Sequence, residues 1–202
     1  MTIVESAREL LKVLNFKLKN GVSDEIYEKY YQNHSKPLCV NLTTEYIGYY
    51  EFGIGVGRNT TSNFSDEENL VVLECVDKLL GQGYSANAIE LEKRFGVGRS
   101  GGGWLDIMVY KDDIAYMMID CKVYGKKYQE AKKQLLNRDN QNDNNQLLSY
   151  FSQDTNADVL CLYGSCVEDG EITRQKDIIY TANLKECHNA TEVYQKMGQK
   201  II

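Results

Sequence analysis

Two acidic side chains and one lysine lie on two neighbouring apolar segments of this 202-residue chain. Asp106 belongs to residues 103–110, and Asp120 and Lys122 end residues 114–122. Both segments are rich in β-branched and aromatic residues and a short charged turn separates them, which predicts a β-hairpin. Side chains two apart on a strand share a face, so Asp120 and Lys122 should lie together, with Asp106 entering from the adjacent strand. Two carboxylates and one ammonium at one point can hold a divalent metal and activate water.

This pattern resembles the PD-(D/E)XK nuclease superfamily, the fold of many restriction endonucleases. There the first acid opens one strand and the (D/E)-x-K triplet ends the next, the positions of Asp106, Asp120 and Lys122. Leu105 stands where the family has proline, a replacement that the superfamily often tolerates. The resemblance implies Mg²⁺ or Mn²⁺ held by Asp106, Asp120 and the backbone carbonyl of Cys121. Lys122 would orient the attacking water and offset developing negative charge.

Residues on either side of the hairpin extend the resemblance. Gln146 and Tyr150 match the Q-x-x-x-Y signature found after the lysine in RecB-like members. Positions i and i+4 share one helix face, so both side chains can turn toward the metal site or the DNA backbone. Residues 60–165 look like the N-terminal nuclease segment of large bacterial restriction–modification proteins, in which an N6-adenine methylase follows. The implied partners are double-stranded DNA and further domains of the same polypeptide, for methylation and target recognition.

A further acid is expected to complete the carboxylate set, and the sequence offers four. Glu90 and Glu92 lie two apart on a predicted strand, residues 89–93, so both should lie on one face and alternation cannot choose between them. We prefer Glu92 because the resemblance runs through this segment. Glu68 and Glu74 on a predicted helix are alternatives, but we favour solvation of the helix surface as the explanation for both.

The net charge of −6 is unexpected for a protein that binds DNA, so the distribution of charge matters more than the total. Residues 93–138 hold ten Lys and Arg against five Asp and Glu, a balance of +5, which leaves −11 for the remainder. Basic residues clustered around the site are what phosphate binding requires. The side chains expected to contact DNA phosphates are Lys126, Lys127, Lys132 and Lys133. A solvated helix face explains the same lysines equally well.

The order strand, hairpin, helix, strand predicts an α/β fold with a restriction-endonuclease-like core, a mixed central β-sheet flanked by helices. We assign residues 65–202 to this core and residues 1–64 to an N-terminal extension that packs on it. Helices are predicted over residues 4–14, 65–80, 128–136 and 146–153, and strands over 46–52, 89–93, 157–163 and 171–180. A capping box of Ser65 and Glu68 should start the second helix, and the glycines at 81 and 83 should stop it.

Several other kinds of site are not expected. The six cysteines form no C-x-x-C pair and there are two histidines, which disfavours a zinc site. The glycine-rich residues 53–57 and 96–103 lack the G-K-[ST] ending and the strand–helix context of a phosphate loop. No apolar stretch approaches the ~20 residues that span a bilayer. Residues 1–9 lack the basic start and apolar core of a secretory signal, so we expect a cytoplasmic protein.

Two functional hypotheses follow. The first is a metal-dependent DNA endonuclease domain of a restriction–modification system, and the alternative is a catalytically silent DNA-binding or coupling module of such a system. Adenine methylases use a motif that ends Pro-Pro-aromatic, and the single proline, Pro37, does not belong to one. Because residues 194–202 end without a cap or tail, we expect the parent chain to continue into the methylase.

Overall fold

The structure is a computed structural model that describes residues 2–32, 34–96, 103–136, 146–154, 156–186 and 192. The helices and strands of these ranges are α1 (Ile3–Val13), β1 (Lys17–Leu18), β2 (Ile26–Lys29), β3 (Leu38–Asn41), β4 (Tyr46–Ile47), α2 (Tyr49–Phe52), β5 (Gly55–Val56), α3 (Glu68–Gly81), a 3-10 turn (Ala86–Ala88), β6 (Ile89–Phe95), β7 (Gly103–Lys111), β8 (Ile114–Val123), α4 (Lys126–Leu136), α5 (Gln146–Phe151), β9 (Val159–Glu168) and β10 (Glu171–Tyr180). None of the helices in these ranges combines the length and the apolar character needed to cross a membrane.

The strands form two sheets. The smaller sheet has the order β1-β2-β3-β4, and the larger has the order β10-β9-β8-β7-β6-β5. Within the larger sheet, β6, β7 and β8 form an antiparallel meander, and β9 lies parallel to β8. The outer strands differ, because β10 is antiparallel to β9 whereas β5 is parallel to β6. The predicted α/β class, with a mixed sheet and flanking helices, is confirmed at this level.

Apolar clusters cover both faces of the larger sheet. On one face, α1, α3 and the smaller sheet pack against side chains such as Ile107, with Leu73 of α3 fully buried among them. On the other face, α4 and α5 pack against side chains such as Met108, with Phe151 of α5 fully buried. Ile107 and Met108 are neighbours on β7 and enter opposite clusters, as strand alternation requires. The sheet is therefore a buried layer between helices, which can hold side chains in fixed positions.

The first 64 residues pack on the rest of the chain through the α1–α3 side of the sheet, and β5 joins the larger sheet beside β6. The predicted strand over residues 46–52 is partly wrong. Only Tyr46–Ile47 is extended, and the chain then turns into α2. Gly53 ends α2 in the left-handed region at φ 104°, a conformation that glycine adopts without strain. The boundary at residue 64 stays a prediction.

The predicted start of α3 is wrong by three residues. The helix begins at Glu68 rather than Ser65, and the N-cap residue Glu67 makes no side-chain cap hydrogen bond. Asp66 Oδ1 accepts a hydrogen bond from the Glu68 backbone N–H at 2.9 Å instead. The Glu68 side chain, which a capping box needs, is bonded to Lys122 on β8. A tertiary ion pair has therefore replaced the local motif.

The other predicted elements are close to their observed bounds. Helix α3 ends at Gly81, and Gly83 follows in the left-handed region at φ 93°, as the two glycines predicted. Strand β10 has the predicted bounds and the predicted pairing with β9. The predicted loop over residues 137–145 and the chain end at 194–202 lie outside the described residues.

Candidate functional site

Asp106 lies where β7 loses regular pairing with both of its neighbours. Toward β8, the ladder ends at the pair Ile107 and Ile119. On the β6 side, Asp106 and Glu92 are opposite each other but are not paired in the register. Glu92 adopts a left-handed backbone with φ 53°. Such a conformation is strained for a residue with a side chain, and within a strand it marks a position that the surrounding structure holds against that strain. The interruption places Asp106 beside acidic groups of other elements.

Lys122 lies at the centre of the acidic cluster. Its Nζ donates hydrogen bonds to Asp120 Oδ1 at 2.9 Å, to Glu68 Oε1 at 3.0 Å and to the Cys121 carbonyl oxygen at 2.8 Å. Asp106 Oδ2 lies 4.0 Å from this Nζ and accepts a hydrogen bond from the Cys121 backbone N–H at 2.6 Å. The structure thus brings together the two aspartates, the lysine and the carbonyl that the sequence singled out.

A polar cavity of about 260 Å³ opens beside the cluster. Its lining includes the carboxylates of Glu68, Glu92 and Asp106, together with Thr60 and Thr61. The hydroxyl of Thr61 is buried and has no hydrogen-bond partner in the described part of the chain. Buried polar groups are normally satisfied, so this hydroxyl suits a water or a ligand in the cavity. Sequence reasoning had not singled out either threonine.

Glu68 is the acid that α3 contributes to the site, and the solvated interpretation is wrong for it. It is bonded to Lys122 and lines the cavity, and burial raises the pKa of its carboxyl against the opposing effect of Lys122. Glu74 is also buried, but it belongs to a different cluster. Its carboxylate accepts hydrogen bonds from Tyr163 Oη at 2.7 Å and Arg174 Nε at 2.5 Å. Only the first of the two helix acids lies beside the aspartates.

The two glutamates of β6 point to opposite faces of the sheet, which corrects the expectation that they share one. Glu92 lines the cavity beside α3. Glu90 Oε2 accepts hydrogen bonds from Tyr110 Oη at 2.5 Å and Lys93 Nζ at 3.1 Å, and Tyr110 packs on the cluster beneath α4 and α5. The left-handed backbone at Glu92 shifts the alternation of side chains by one residue. The preferred acid, Glu92, is therefore at the site.

Gly57 supports the unusual backbone of Glu92. The Gly57 N–H donates to the Leu91 carbonyl oxygen at 2.9 Å, which brings the two chains into close contact. A Cβ atom at Gly57 would lie 2.2 Å from the Glu92 carbonyl oxygen, far inside van der Waals contact. Glycine is required here by the close approach, and the glycine-rich pattern of residues 53–57 gave no sign of it.

Electrostatics at the site are dominated by an excess of carboxyl groups. Three acids surround the single ammonium of Lys122 in the described residues, and Glu92 lines the same cavity as two of them, Glu68 and Asp106. Burial, and then the charge of Asp120, raise the pKa of the Asp106 carboxyl well above its ordinary range. Burial alone would lower the pKa of Lys122, but the neighbouring carboxylates raise it above its ordinary value. The lysine therefore stays charged while the acids lack sufficient compensation.

The donor set fits a hard divalent cation by its chemistry. Carboxylate and carbonyl oxygens are the ligands that Mg²⁺ and Mn²⁺ prefer, and the excess of acids over cations favours the binding of a further positive charge. As they stand, no three Asp, Glu, His or Cys side chains of the described residues are arranged to hold a metal ion. The Lys122 ammonium lies among the carboxylates at the contact distances of an ion pair.

Gln146 and Tyr150 of α5 lie together on the side of the helix that faces β7. The Gln146 side-chain amide donates a hydrogen bond to Tyr150 Oη, which in turn donates to the Trp104 carbonyl oxygen at 3.2 Å. Burial, more than any other influence, raises the pKa of Tyr150 to about 12, and the charges of Asp120 and Asp106 contribute. Tyr150 is thus within electrostatic reach of the acidic cluster, and Gln146 contacts Tyr150 as the helix spacing predicted.

The four lysines of α4 differ in their surroundings. Lys126 and Lys127 are exposed and lie 3.8 Å from Glu130 and Asp66, respectively. Asp66 lines the site cavity, so Lys127 is at its rim. Lys133 is exposed. Lys132 Nζ lies 2.8 Å from Asp177 Oδ1 on β10. Lys127 is thus paired with a residue of the cavity lining, and Lys132 is held by a strand at the edge of the sheet.

Comparison with known proteins adds no family assignment. A scan against models of protein families finds none that matches the chain. A search of curated proteins finds no relative either. The functional conclusion therefore depends on the residues and the geometry of the site.

Proposed function

We propose that this chain is a divalent-metal-dependent nuclease domain that hydrolyses phosphodiester bonds of double-stranded DNA. The observation that carries the proposal is the convergence of three carboxyl groups, from α3, β7 and β8, on one lysine where the sheet pairing is interrupted, with a fourth carboxyl group from β6 in the adjoining cavity. The order of elements supports a restriction-endonuclease-like core. Helix α3 precedes an antiparallel meander, and two helices then lead to a strand parallel to the last strand of the meander.

Asp106, Asp120 and the Cys121 carbonyl would hold Mg²⁺ or Mn²⁺, which when bound supplies a Lewis acid and a water of lowered pKa. Lys122 would orient the attacking water by turning one of its N–H donors to it, away from the Glu68, Asp120 or Cys121 oxygen that the donor otherwise binds. Its permanent charge also offsets the negative charge that develops on the scissile phosphate. Glu92 lines the cavity beside Asp106 and extends the acidic wall.

A purely structural salt-bridge network explains the cluster less well. A buried ion pair is stabilising only when its charges are balanced and its lone pairs are satisfied. Here one ammonium faces three carboxyl groups with a fourth in the adjoining cavity, and Asp106 is buried beside Asp120, which disfavours its ionised form. An arrangement that costs stability and concentrates acids in a cavity is what catalytic sites tolerate.

The wider context of the proposal comes from the family resemblance. It places the nuclease in a bacterial restriction–modification system in the cytoplasm, with methylase and target-recognition domains as partners in the same polypeptide. Specific base recognition needs dedicated side chains on an element that enters a groove. We assign that task to the partner domains, and phosphodiester hydrolysis to this one.

The decisive experiment combines thermal unfolding and DNA cleavage in a Mg²⁺ or Mn²⁺ titration. Wild-type protein should gain stability with added metal, by about 2.7 kcal/mol when the metal is at a hundred times its Kd, and should cleave DNA. Asp106→Asn and Asp120→Asn should abolish both effects. Lys122→Ala should keep metal binding and lower cleavage by about 10²- to 10³-fold.

Glu90→Gln and Glu92→Gln form the matched control, because the two residues lie on one strand and face opposite sides of the sheet. Only Glu92→Gln should weaken metal stabilisation and cleavage. If metal stabilises the wild type but DNA is bound and never cut, the catalytically silent module is correct. Equal cleavage by Lys122→Ala protein would remove that residue from the mechanism.

A further inference from the structure

An exposed basic and aromatic patch lies next to the acidic cluster. Trp104 is on β7, two residues before Asp106, which corresponds to about 7 Å along a strand. The Arg58 and Arg94 guanidinium carbons each lie 5.8 Å from the centre of the Trp104 ring. Arg94 is the direct cross-strand partner of Trp104, and Arg58 follows Gly57 at the end of β5. Three chain segments therefore place two arginines around one aromatic ring.

These arginines differ from three of the α4 lysines, which are Lys126, Lys127 and Lys132, in their electrostatic balance. Neither Arg58 nor Arg94 forms an ion pair with a carboxylate in the described ranges, and both side chains are exposed. Lys127 and Lys132, by contrast, lie against Asp66 and Asp177. An acidic cluster repels a polyanion, so cations at its rim are needed to bring a phosphate chain near it. The two arginines carry charge that is not neutralised locally.

We propose that Arg58, Trp104 and Arg94 form a phosphate clamp for the DNA strand beside the acidic site. A guanidinium presents several N–H donors in a planar fork that matches phosphate oxygens, and stacking on an aromatic face restricts its rotamers before the ligand arrives. The ligand is the phosphodiester backbone, so the clamp is independent of base sequence. The inference rests on the proposed function for the identity of the ligand, but its test does not need cleavage.

Trp104 also connects the clamp to the Gln146–Tyr150 pair on α5. Its carbonyl oxygen accepts the hydrogen bond of Tyr150 Oη at 3.2 Å. Gly103, the preceding residue, leaves room for this contact, because a Cβ atom there would lie 2.0 Å from Tyr150 Oη. The ring is thus fixed at its backbone by α5, and its face is left to the two arginines.

Fluorescence anisotropy with a labelled DNA duplex in EDTA, measured over a range of salt, tests the clamp without any cleavage. Each phosphate contact contributes about 0.9 to the slope of log affinity against log salt. Arg58→Gln/Arg94→Gln should therefore reduce the slope by about 1.8. Raising the salt from about 50 to about 200 mM lowers the DNA affinity of both proteins. The fold-loss of affinity for the variant should be about twelvefold smaller than the fold-loss for the wild type. Lys111→Gln, at the far end of β7, is the control for loss of charge.

Trp104→Leu separates the role of the ring from that of the charges. Both guanidiniums remain, so the salt slope should be unchanged while the affinity falls several-fold. Trp104 is the single tryptophan of the chain, so its fluorescence should respond to duplex in the wild type. That response should be smaller in Arg58→Gln/Arg94→Gln protein. Melting temperatures of all variants verify that they are folded.

A wild-type salt slope in the double arginine variant would overturn the clamp. A larger slope change in Lys126→Gln/Lys127→Gln than in the arginine pair would overturn it as well, since α4 would then hold the backbone. Failure of the nuclease proposal gives a different result. In that case the arginine pair would still lower the slope in EDTA, while wild-type protein with Mg²⁺ or Mn²⁺ would leave the DNA intact.

Discussion

Helix α3 carries acids along its length, and the two buried ones, Glu74 and Asp77, have partners of their own. Asp77 Oδ1 accepts hydrogen bonds from Lys29 Nζ and Tyr31 Oη, both at 2.5 Å. Glu74 is paired with Arg174 and Tyr163 in the same manner. Each of these acids has one cation and one phenol, which compensates the cost of removing a carboxylate from water.

The first turn of the same helix shows the opposite balance. Glu68 shares the single ammonium of Lys122 with Asp120 and Asp106, and Glu92 lines the same cavity. Burial alone therefore does not distinguish the two regions of α3, since Glu74 and Asp77 are more deeply buried than Glu68 without lying at the site. The ratio of acidic to basic side chains does distinguish these regions, and it identifies the part of the molecule that suits a metal ion and a phosphate.

The strongest test of the difference between the two regions is the same Asp→Asn substitution in each, Asp120→Asn and Asp77→Asn. Asp120→Asn should lower cleavage by at least about 100-fold. It should leave the melting temperature unchanged or higher, because it removes one of several repelling carboxylates. Asp77→Asn leaves the Lys29 ammonium without its partner and should cost about 3 kcal/mol of unfolding free energy, with cleavage retained well below the melting temperature.

Urea unfolding and cleavage rates measure the two effects independently. Equal losses of stability in both variants would show that the Lys122 cluster is a structural network like the one around Asp77. Loss of cleavage in Asp77→Asn protein that is still folded would extend the functional region along the whole of α3.

A second pair of variants examines how the acidic region is positioned. Gly57→Ala places a Cβ 2.2 Å from the Glu92 carbonyl oxygen, whereas Gly55→Ala meets the side chain of Glu90 at an ordinary 3.5 Å. The first change must displace the Glu92 backbone, at about 1–3 kcal/mol, and a displacement near 1 Å lowers activity about 100-fold. The second should have little effect on either quantity. Similar cleavage by both variants would show that the position of Glu92 is unimportant.

Local patterns in the sequence were sufficient to predict the β7–β8 hairpin and the placement of Asp120 and Lys122 on it. Alternation over residues 114–122, with a charged turn before it, predicts that Asp120 and Lys122 share a face, and the Lys122 Nζ–Asp120 Oδ1 distance of 2.9 Å agrees. The α/β class followed from the same kind of pattern, since segment length and turn residues are local properties. The spacing of Gln146 and Tyr150 predicts their contact for the same reason.

Predictions failed where distant parts of the chain change a local pattern. The capping box at Ser65 is absent because Lys122 binds the Glu68 side chain. Alternation along β6 is shifted at Glu92 because a close contact with Gly57 accompanies a left-handed backbone there. Neither contact is encoded in a short window of sequence, so neither the choice of Glu68 over Glu74 nor the separation of the two strand glutamates was accessible beforehand.

The smallest expected effect concerns Tyr150, which lies at the border of the acidic region. Because its pKa is raised to about 12, the phenol stays protonated at every pH at which a nuclease is assayed, and it acts as a hydrogen-bond donor and acceptor without titrating. Tyr150→Phe removes about 1 kcal/mol of hydrogen bonding and should lower cleavage about fivefold, with a pH–rate profile parallel to the wild type. Tyr180→Phe, an exposed tyrosine of β10, should have no effect. A shift in the alkaline limb of the profile for Tyr150→Phe alone would mean that the phenol loses its proton during the reaction, and the excess negative charge of the site would then extend beyond the four carboxyl groups.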